Sequence, residues 1–297
     1  MARSHKNTSI TGKRLNNTVK SFKNISIAAS WVIVVALLLV IVLKHIAEDK
    51  FIKPEKEQEN TEFWAYDGTD KVILPESLSN TTVPYKGFIV YFNPETHIPN
   101  AVAYELTSSE AKGVEPRYNN FDKDYEVEGC PHPSDYTGSG YDRGHMAPAA
   151  DMKWDKQAMK ESCTMTNICP QNGKLNRGMW NKLEDSIHKW AQRDSSIVVV
   201  CGPILGEKKK YIKGDGMKIA VPEGFFKVIL ANRLPQPRAI GFVMPNKTCG
   251  GQLEDYAMSI DEVEKLTGFD FFSILPDNVE NELERTCNYQ QWTAPER

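Results

Sequence analysis

Asp142-Arg143-Gly144-His145 is followed by Thr166-Asn167-Ile168-Cys169-Pro170-Gln171, then by Leu175-Asn176-Arg177-Gly178-Met179-Trp180 and Leu183-Glu184-Asp185. From Asp142 to Glu184, 43 residues supply a candidate base, a guanidinium, two carboxamides and a carboxylate. Singly, each has a plainer reading. A histidine in a loop is more often a surface residue, and an asparagine opening a helix is more often a cap. A glutamate on a helix is usually solvated. Order and spacing together carry the argument.

The last of these blocks predicts a helix over 175–193. Leu175, Met179, Leu183, Ile187 and Trp190 recur at spacings of four and three, which makes a core-facing stripe. Asn176, Trp180, Glu184 and His188 keep the same rhythm one position on, along the edge of the buried face. Asn176 and Glu184 therefore point to one side, two turns apart.

Upstream, residues 87–92 and 101–106 read as a first pair of strands, separated by Asn93-Pro94-Glu95 and Pro99-Asn100 turn chemistry. Residues 107–140, polar and rich in Gly, Pro, Asp and Ser, read as mostly loop. Downstream, Ile197-Val198-Val199-Val200-Cys201 is a β-branched run suited to a buried central strand, and 225–230 and 239–244 predict two more. Ser259-Ile260-Asp261-Glu262 has capping-box form, with Gly268 as a stop, so a short helix is expected over 260–267. Strands with few intervening helices imply an α+β class with a mainly antiparallel central sheet and flanking helices.

The N-terminal part is organised differently. Residues 25–43 carry no charge and are dominated by Val, Ile, Leu and Ala. As a helix rising ~1.5 Å per residue, they nearly match the ~30 Å hydrocarbon thickness. Residues 1–24 carry Arg3, Lys6, Lys13, Arg14, Lys20 and Lys23 and no acid, whereas Glu48, Asp49, Glu55, Glu57, Glu59 and Glu62 lie beyond the apolar stretch. The positive-inside rule then places the N-terminus in the cytoplasm and translocates the chain beyond residue 45, to the periplasm or the exterior. A cleaved signal peptide fits less well, because the apolar core is long and Leu43-Lys44-His45-Ile46-Ala47 is a poor cleavage site. The expected plan is a basic tail (1–24), one transmembrane helix in the bilayer (25–43), a linker (44–73, most clearly 46–66 with Pro54), and one domain over 74–297.

Charge restricts how such a domain meets a polyanion. The chain is −3 overall, and seven basic residues with no acid in 1–44 leave −10 beyond them. A broadly basic nucleic-acid-binding surface is excluded. The Lys208–Lys213 run is a candidate phosphate-tracking patch, with a solvated loop as its plainer reading. The six cysteines suggest disulfides if the domain is extracytoplasmic, with pairing open. Zinc is disfavoured, since Cys163-x5-Cys169 is too wide for a CxxC knuckle and no paired histidines accompany it.

Phosphodiester hydrolysis requires a proton acceptor for water, stabilisation of charge on phosphorus and neutralisation of the departing oxygen. A histidine suits the first task near neutral pH. A hard cation such as Mg²⁺ takes oxygen ligands and keeps several waters, which a nearby carboxylate can hold. His145, Asn176 and Glu184 answer these needs in order.

Taken together, Asp-Arg-Gly-His, Asn-Ile-x-Pro-Gln, Leu-Asn-x-Gly-x-Trp and Leu-Glu resemble the DNA/RNA non-specific endonucleases of the ββα-metal fold, which include the secreted bacterial nucleases and the endonuclease G type. The resemblance covers roughly residues 83–287. It implies that His145 is the general base, that Asn176 ligates Mg²⁺ (or Mn²⁺), and that Glu184 binds metal-coordinated water. It further implies that Arg143 contacts phosphate and that Asn167 orients groups around the scissile bond. Arg117, in Pro116-Arg117-Tyr118, would be a further phosphate ligand. The substrate would be DNA or RNA, met through its phosphates, and the products 5′-phosphorylated. One position departs from the family: an arginine commonly stands four residues after the helix glutamate, where this chain has His188. Arg177 or Lys189 is the candidate replacement. Two alternatives remain, a weakly catalytic nucleic-acid-binding or uptake module and a phosphodiesterase of small nucleotides.

Overall fold

A computed structural model describes residues 72–213, 217–231 and 237–293. The chain divides into Met1–Thr61 and Glu62–Arg297, and every described residue belongs to the second unit. The basic tail, the apolar stretch 25–43 and most of the linker lie outside the described residues. Among those described, no helix is long and apolar enough to cross a membrane.

The chain opens with β1 (Val72–Ile73), β2 (Thr81–Pro84), β3 (Ile89–Asn93) and β4 (Ile98–Thr107). A short ribbon comes next, β5 (Asp142–His145) and β6 (Ile168–Gln171), with helix α1 (Lys156–Ser162) between its strands. Beyond it lie helix α2 (Asn181–Arg193), β7 (Ser196–Ile204), the hairpin β8 (Lys210–Lys213) and β9 (Lys218–Val221), then β10 (Gly224–Ala231) and β11 (Arg238–Pro245). The C-terminal part holds β12 (Ala257–Met258), α3 (Ile260–Thr267), β13 (Asp270–Phe271), α4 (Asp277–Glu284) and α5 (Gln290–Thr293).

Seven strands form one antiparallel sheet in the order β12-β11-β10-β7-β4-β3-β2. Successive side chains of a strand point to opposite faces, and here both faces are covered. Val199, Cys201, Ile229 and Phe242 pack with Leu183, Ile187 and Trp190 of α2. Val198, Val200, Phe226 and Val228 pack with Ile260, Val263, Phe269 and Phe271 on the other side. Double burial explains why β7 and β10 read as unbroken apolar runs and not as alternating ones.

The expected α+β class and antiparallel sheet are therefore present; four of the five predicted strands lie within longer observed ones, and the first, expected over 87–92, is β3 at Ile89–Asn93. Helix α3 spans the expected residues. Ser259 Oγ accepts the Glu262 N–H at 3.3 Å, Glu262 Oε2 accepts the Ser259 N–H at 2.9 Å, and Gly268 closes the helix at φ 72°. A left-handed closing residue is what glycine permits most readily.

The segment 175–193 departs from a single α-helix. It begins as one helical turn over Gly173–Leu175, opens into a π-helical turn over Asn176–Trp180, and becomes regular only in α2. Gly178 adopts φ −117° and ψ −109° inside that turn, and π-turns of this kind concentrate at functional sites. The apolar stripe survives the distortion, with Leu175, Leu183 and Ile187 inaccessible and Met179 and Trp190 nearly so.

Two further segments differ from expectation. The Asp-Arg-Gly-His block is a strand: Asp142, Arg143, Gly144 and His145 pair antiparallel with Gln171, Pro170, Cys169 and Ile168. Four residues without an apolar alternation give no period to read. Residues 210–213 of the lysine-rich run are not loop but β8, paired with β9, and Ile212 is buried between them and the core. The expectation of disulfides is also corrected, because all six thiols are free. Cys130, Cys163, Cys169 and Cys201 are instead buried as small apolar side chains.

The ribbon tolerates no bulk at its centre. A Cβ on Gly144 would lie 2.6 Å from the Gln171 Cβ. Gly144→Ala is expected to splay β5 from β6 and destabilise the fold by about 1–3 kcal/mol, read as a lower urea midpoint; an unchanged midpoint would show that the ribbon can yield.

Candidate active site

The ribbon β5–β6, the π-turn and α2 surround one cleft of ≈ 320 Å³. Its lining includes Arg117, Arg143, His145, Asn176, Arg177 and Glu184. Six of the seven residues singled out from sequence thus converge on one space. Strand β5 turns Arg143 and His145 to one side, while the π-turn and the first turns of α2 deliver Asn176 and Glu184 two turns apart.

Asn167 is the exception. It is inaccessible and lies behind the cleft. Its Oδ1 accepts the Ala147 N–H at 2.9 Å, while its Nδ2 donates to the carbonyls of Ala147 and Ser162 at 2.9 and 2.7 Å. Its backbone carbonyl takes the Met146 N–H at 3.0 Å. Asn167 therefore clamps the chain directly after His145 and does not address a ligand itself.

His145 is enclosed except for the edge that opens on the cleft. Its Nε2 rests 3.7 Å from Cys163 Sγ, and the Phe121 ring tilts over it with centroids 5.3 Å apart. Burial, and then the positive charge of Arg117, push its pKa down to about 3. The imidazole is neutral at pH 7 and able to accept a proton. Arg143 stacks over the same Phe121 ring at 4.7 Å, a cation–π contact that fixes the guanidinium beside the base.

Asn176 is oriented by Asp142. The Asn176 Nδ2 donates to Asp142 Oδ2 at 3.0 Å, and the exposed Arg177 forms an ion pair with the same carboxylate. Burial alone would raise the Asp142 pKa, but the Arg177 and Asn176 hydrogen bonds hold it below the usual range. With its nitrogen committed, the Asn176 amide keeps Oδ1 as an acceptor for a ligand.

Glu184 supplies the second oxygen donor. Its Oε1 is buried without a hydrogen-bond partner, and the nearest cation, Lys227 Nζ, stands 3.8 Å away. Burial pushes this carboxyl up to about 7, against the opposing charge of Lys227. An amide oxygen with its nitrogen tied back and an orphaned buried carboxylate oxygen make a donor set that fits a hard divalent cation and its waters.

A model of the family described as DNA/RNA non-specific endonuclease matches residues 67–278. The chain belongs to the DNA/RNA non-specific endonuclease family. It is 35% identical over 221 residues to the mitochondrial nuclease EXOG of Danio rerio, covering 68% of this chain and 63% of that one. It is 34% identical to the mitochondrial nuclease of Saccharomyces cerevisiae over 68% of this chain and 69% of that one. The mouse EXOG nuclease is 39% identical over 155 residues, 46% of this chain and 41% of its own length. Across the first of these curated relatives the chain thus spans between about two fifths and two thirds of their length. Among solved structures, a crystal structure of the EndoG/EndoGI complex aligns with a TM-score of 0.60 and 25% identity, over 66% of this chain and 87% of that one.

Within this family fold, His188 does not occupy the role of a cleft arginine. Its Nδ1 is bound to Asp151 Oδ1 at 2.9 Å, and Tyr104 donates to the other oxygen of that buried carboxylate at 3.0 Å. The Asp151 hydrogen bond raises the His188 pKa above its ordinary value. Positive charge in the cleft comes instead from Arg117, Arg143 and Arg177. Lys189, offered as a substitute, is exposed and outside the lining.

Sequence reading missed Lys227. It is inaccessible in the middle of β10, its Nζ donating to the Met146 carbonyl at 3.0 Å and lying 4.6 Å from the Trp180 ring. A lone lysine inside Phe225-Phe226-Lys227-Val228-Ile229-Leu230 was the available signal. Asp142 was also missed as the group that turns the Asn176 amide.

Because the folded pKa of Glu184 lies above its unfolded value, the stability it contributes is complete below about 4.5 and lost as pH rises through about 7. In metal-free buffer, Glu184→Gln should therefore gain stability relative to the native chain between pH 5 and pH 8. Urea unfolding at the two values checks this, and a pH-independent difference would contradict it.

Proposed function

We propose that the chain is a metal-dependent endonuclease that hydrolyses phosphodiester bonds of DNA or RNA with little regard for sequence. The observation that carries this reading is the cleft itself: a neutral imidazole, an amide oxygen freed by Asp142 and a carboxylate whose buried oxygen makes no hydrogen bond share it with three arginines. Family membership supports the same reading.

His145 takes the proton from water. Its Nε2 faces Cys163, which leaves Nδ1, without a protein partner among the described residues, as the acceptor. Arg143, fixed over Phe121, and Arg117 and Arg177 receive the phosphate oxygens, contacts that position a strand without reading bases. Glu184 accepts hydrogen bonds from water in the cleft, and Asn176 offers its Oδ1 toward the ion. A bound Mg²⁺ or Mn²⁺ supplies Lewis-acid stabilisation of charge at phosphorus and at the departing 3′ oxygen. The products are then 5′-phosphorylated. Asn167 acts indirectly, holding the 146–147 backbone and through it the base.

The cleft recruits polyanions locally, since the part of the chain beyond residue 44 is acidic overall. We further propose that residues 25–43 anchor the protein in a bilayer with the nuclease unit on the far side from the cytoplasm. The support is the uncharged length of that stretch and the basic residues that precede it.

His145→Ala is expected to slow plasmid cleavage by about two to four orders of magnitude with DNA binding largely retained, measured by gel and by mobility shift. EDTA should abolish cleavage and Mg²⁺ or Mn²⁺ restore it; cleavage that persists in EDTA would remove the metal from the reaction. Plasmid, RNA and a small diester, run side by side on the full chain, distinguish a polynucleotide substrate from a small one. The anchor is checked by extracting membranes at alkaline pH, where protein released to the supernatant would refute it.

A further inference from the structure

A second group of carboxylates sits away from the cleft, between α3 and α4. Asp261 and Glu264 stand three apart on α3, and Glu280 and Glu284 four apart on α4, so each helix presents like charges on one face. Such pairs destabilise a helix when nothing neutralises them. Here the two faces also meet. One oxygen from each of Asp261, Glu264 and Glu284 lies within 4.8 Å of the others.

Glu284 is the informative member. It is only 7% exposed, and its Oε1 is fully enclosed with no hydrogen-bond partner. It also stands at the C-terminus of α4, the end where the helix dipole opposes a negative charge. Glu264 Oε1 accepts the Phe271 N–H at 2.9 Å, which fixes that carboxylate in place. No lysine or arginine forms an ion pair with any of these groups among the described residues. Burial, with Glu264, Glu280, Asp270 and Asp261 adding their charges, pushes Glu284 up to about 9. A buried carboxylate aimed at two others needs either a proton or a cation.

We propose that Asp261, Glu264 and Glu284 bind a calcium-sized divalent cation that locks α4 onto α3. An all-carboxylate set selects a hard ion over zinc or copper. The number of carboxylates selects the larger hard ion: Ca²⁺ takes about 6–8 oxygens in flexible geometry, whereas Mg²⁺ keeps several of its waters and takes one or two carboxylates. None of the three lines the cleft, and Glu284 lies beyond the family match, which ends at residue 278. The site therefore stands independently of the nuclease reading.

The full chain, stripped with EDTA and dialysed, should show a melting temperature that rises with added Ca²⁺, because an ion that binds only the folded state stabilises it. Mg²⁺ should give the smaller response. Glu284→Gln and Glu264→Gln should each raise the half-saturating Ca²⁺ concentration by about tenfold or more, since affinity depends on ligand charge. Glu284→Gln should fold normally, because an amide of the same size replaces a buried carboxyl that faces other carboxylates. In Asn176→Ala, which disables the cleft, the Ca²⁺ response should persist, and equilibrium dialysis should still find one Ca²⁺ per chain. A native chain indifferent to Ca²⁺, a response unchanged in both glutamine variants, or binding lost in Asn176→Ala would each overturn the proposal.

Discussion

An ammonium group enclosed in a β-sheet is the constraint on which the rest of this site depends. Lys227 is inaccessible, and a buried charge is tolerable only when it is paired and hydrogen-bonded. Its neighbours include the Met146 carbonyl, the Trp180 ring and the Glu184 carboxylate. Met146 comes directly after the base, and Trp180 and Glu184 belong to the helical segment that carries Asn176. By satisfying one buried cation, the fold ties the central sheet to the ribbon and to the helix at once. Cys201, opposite Lys227 across the strand pair, donates to the same Met146 carbonyl at 3.2 Å. The Asn167 side chain then secures the next residue, Ala147.

Around that fixed frame, the cleft keeps its polar groups under-used. Glu184 carries an oxygen with no hydrogen bond, and the Asn176 amide is held by its nitrogen alone. Leaving a buried acceptor unmet costs free energy, and at the cleft a ligand would supply the missing partner. The π-turn contributes in the same way. A regular helix would satisfy its backbone better, but the opened turn is the segment that carries Asn176 to Asp142. The acidic cluster between α3 and α4 repeats the pattern on the far side of the sheet, with Glu284 as its unmet oxygen.

Much of the scaffold was legible from sequence because it rests on local chemistry. The apolar runs of β7, β10 and β11 and the capping box of α3 each announce themselves within a few residues. The stripe from Leu175 to Trp190 placed Glu184 on the same side as Asn176, despite the π-turn, because core packing anchors the stripe through the turn and beyond it. What failed lacked a local signature. Strand β5 has no alternation, and β8 looked like a charged loop because its buried Ile212 stands in a run of lysines. The cysteine count suggested covalent bridges where the interior uses thiols as packing.

Sequence by itself determined the class of fold, the set of chemically competent residues and the family that they spell, because order and spacing of residue types are one-dimensional facts. Only tertiary structure decided which of those residues share a cleft. It moved Asn167 behind the site, bound His188 to Asp151, and brought Lys227 from a distant strand to within reach of Glu184. It likewise gathered Asp261, Glu264 and Glu284 from two helices. Burial and the field of neighbouring charges are properties of three-dimensional packing, and they set the neutral state of His145 and the unmet oxygens of Glu184 and Glu284.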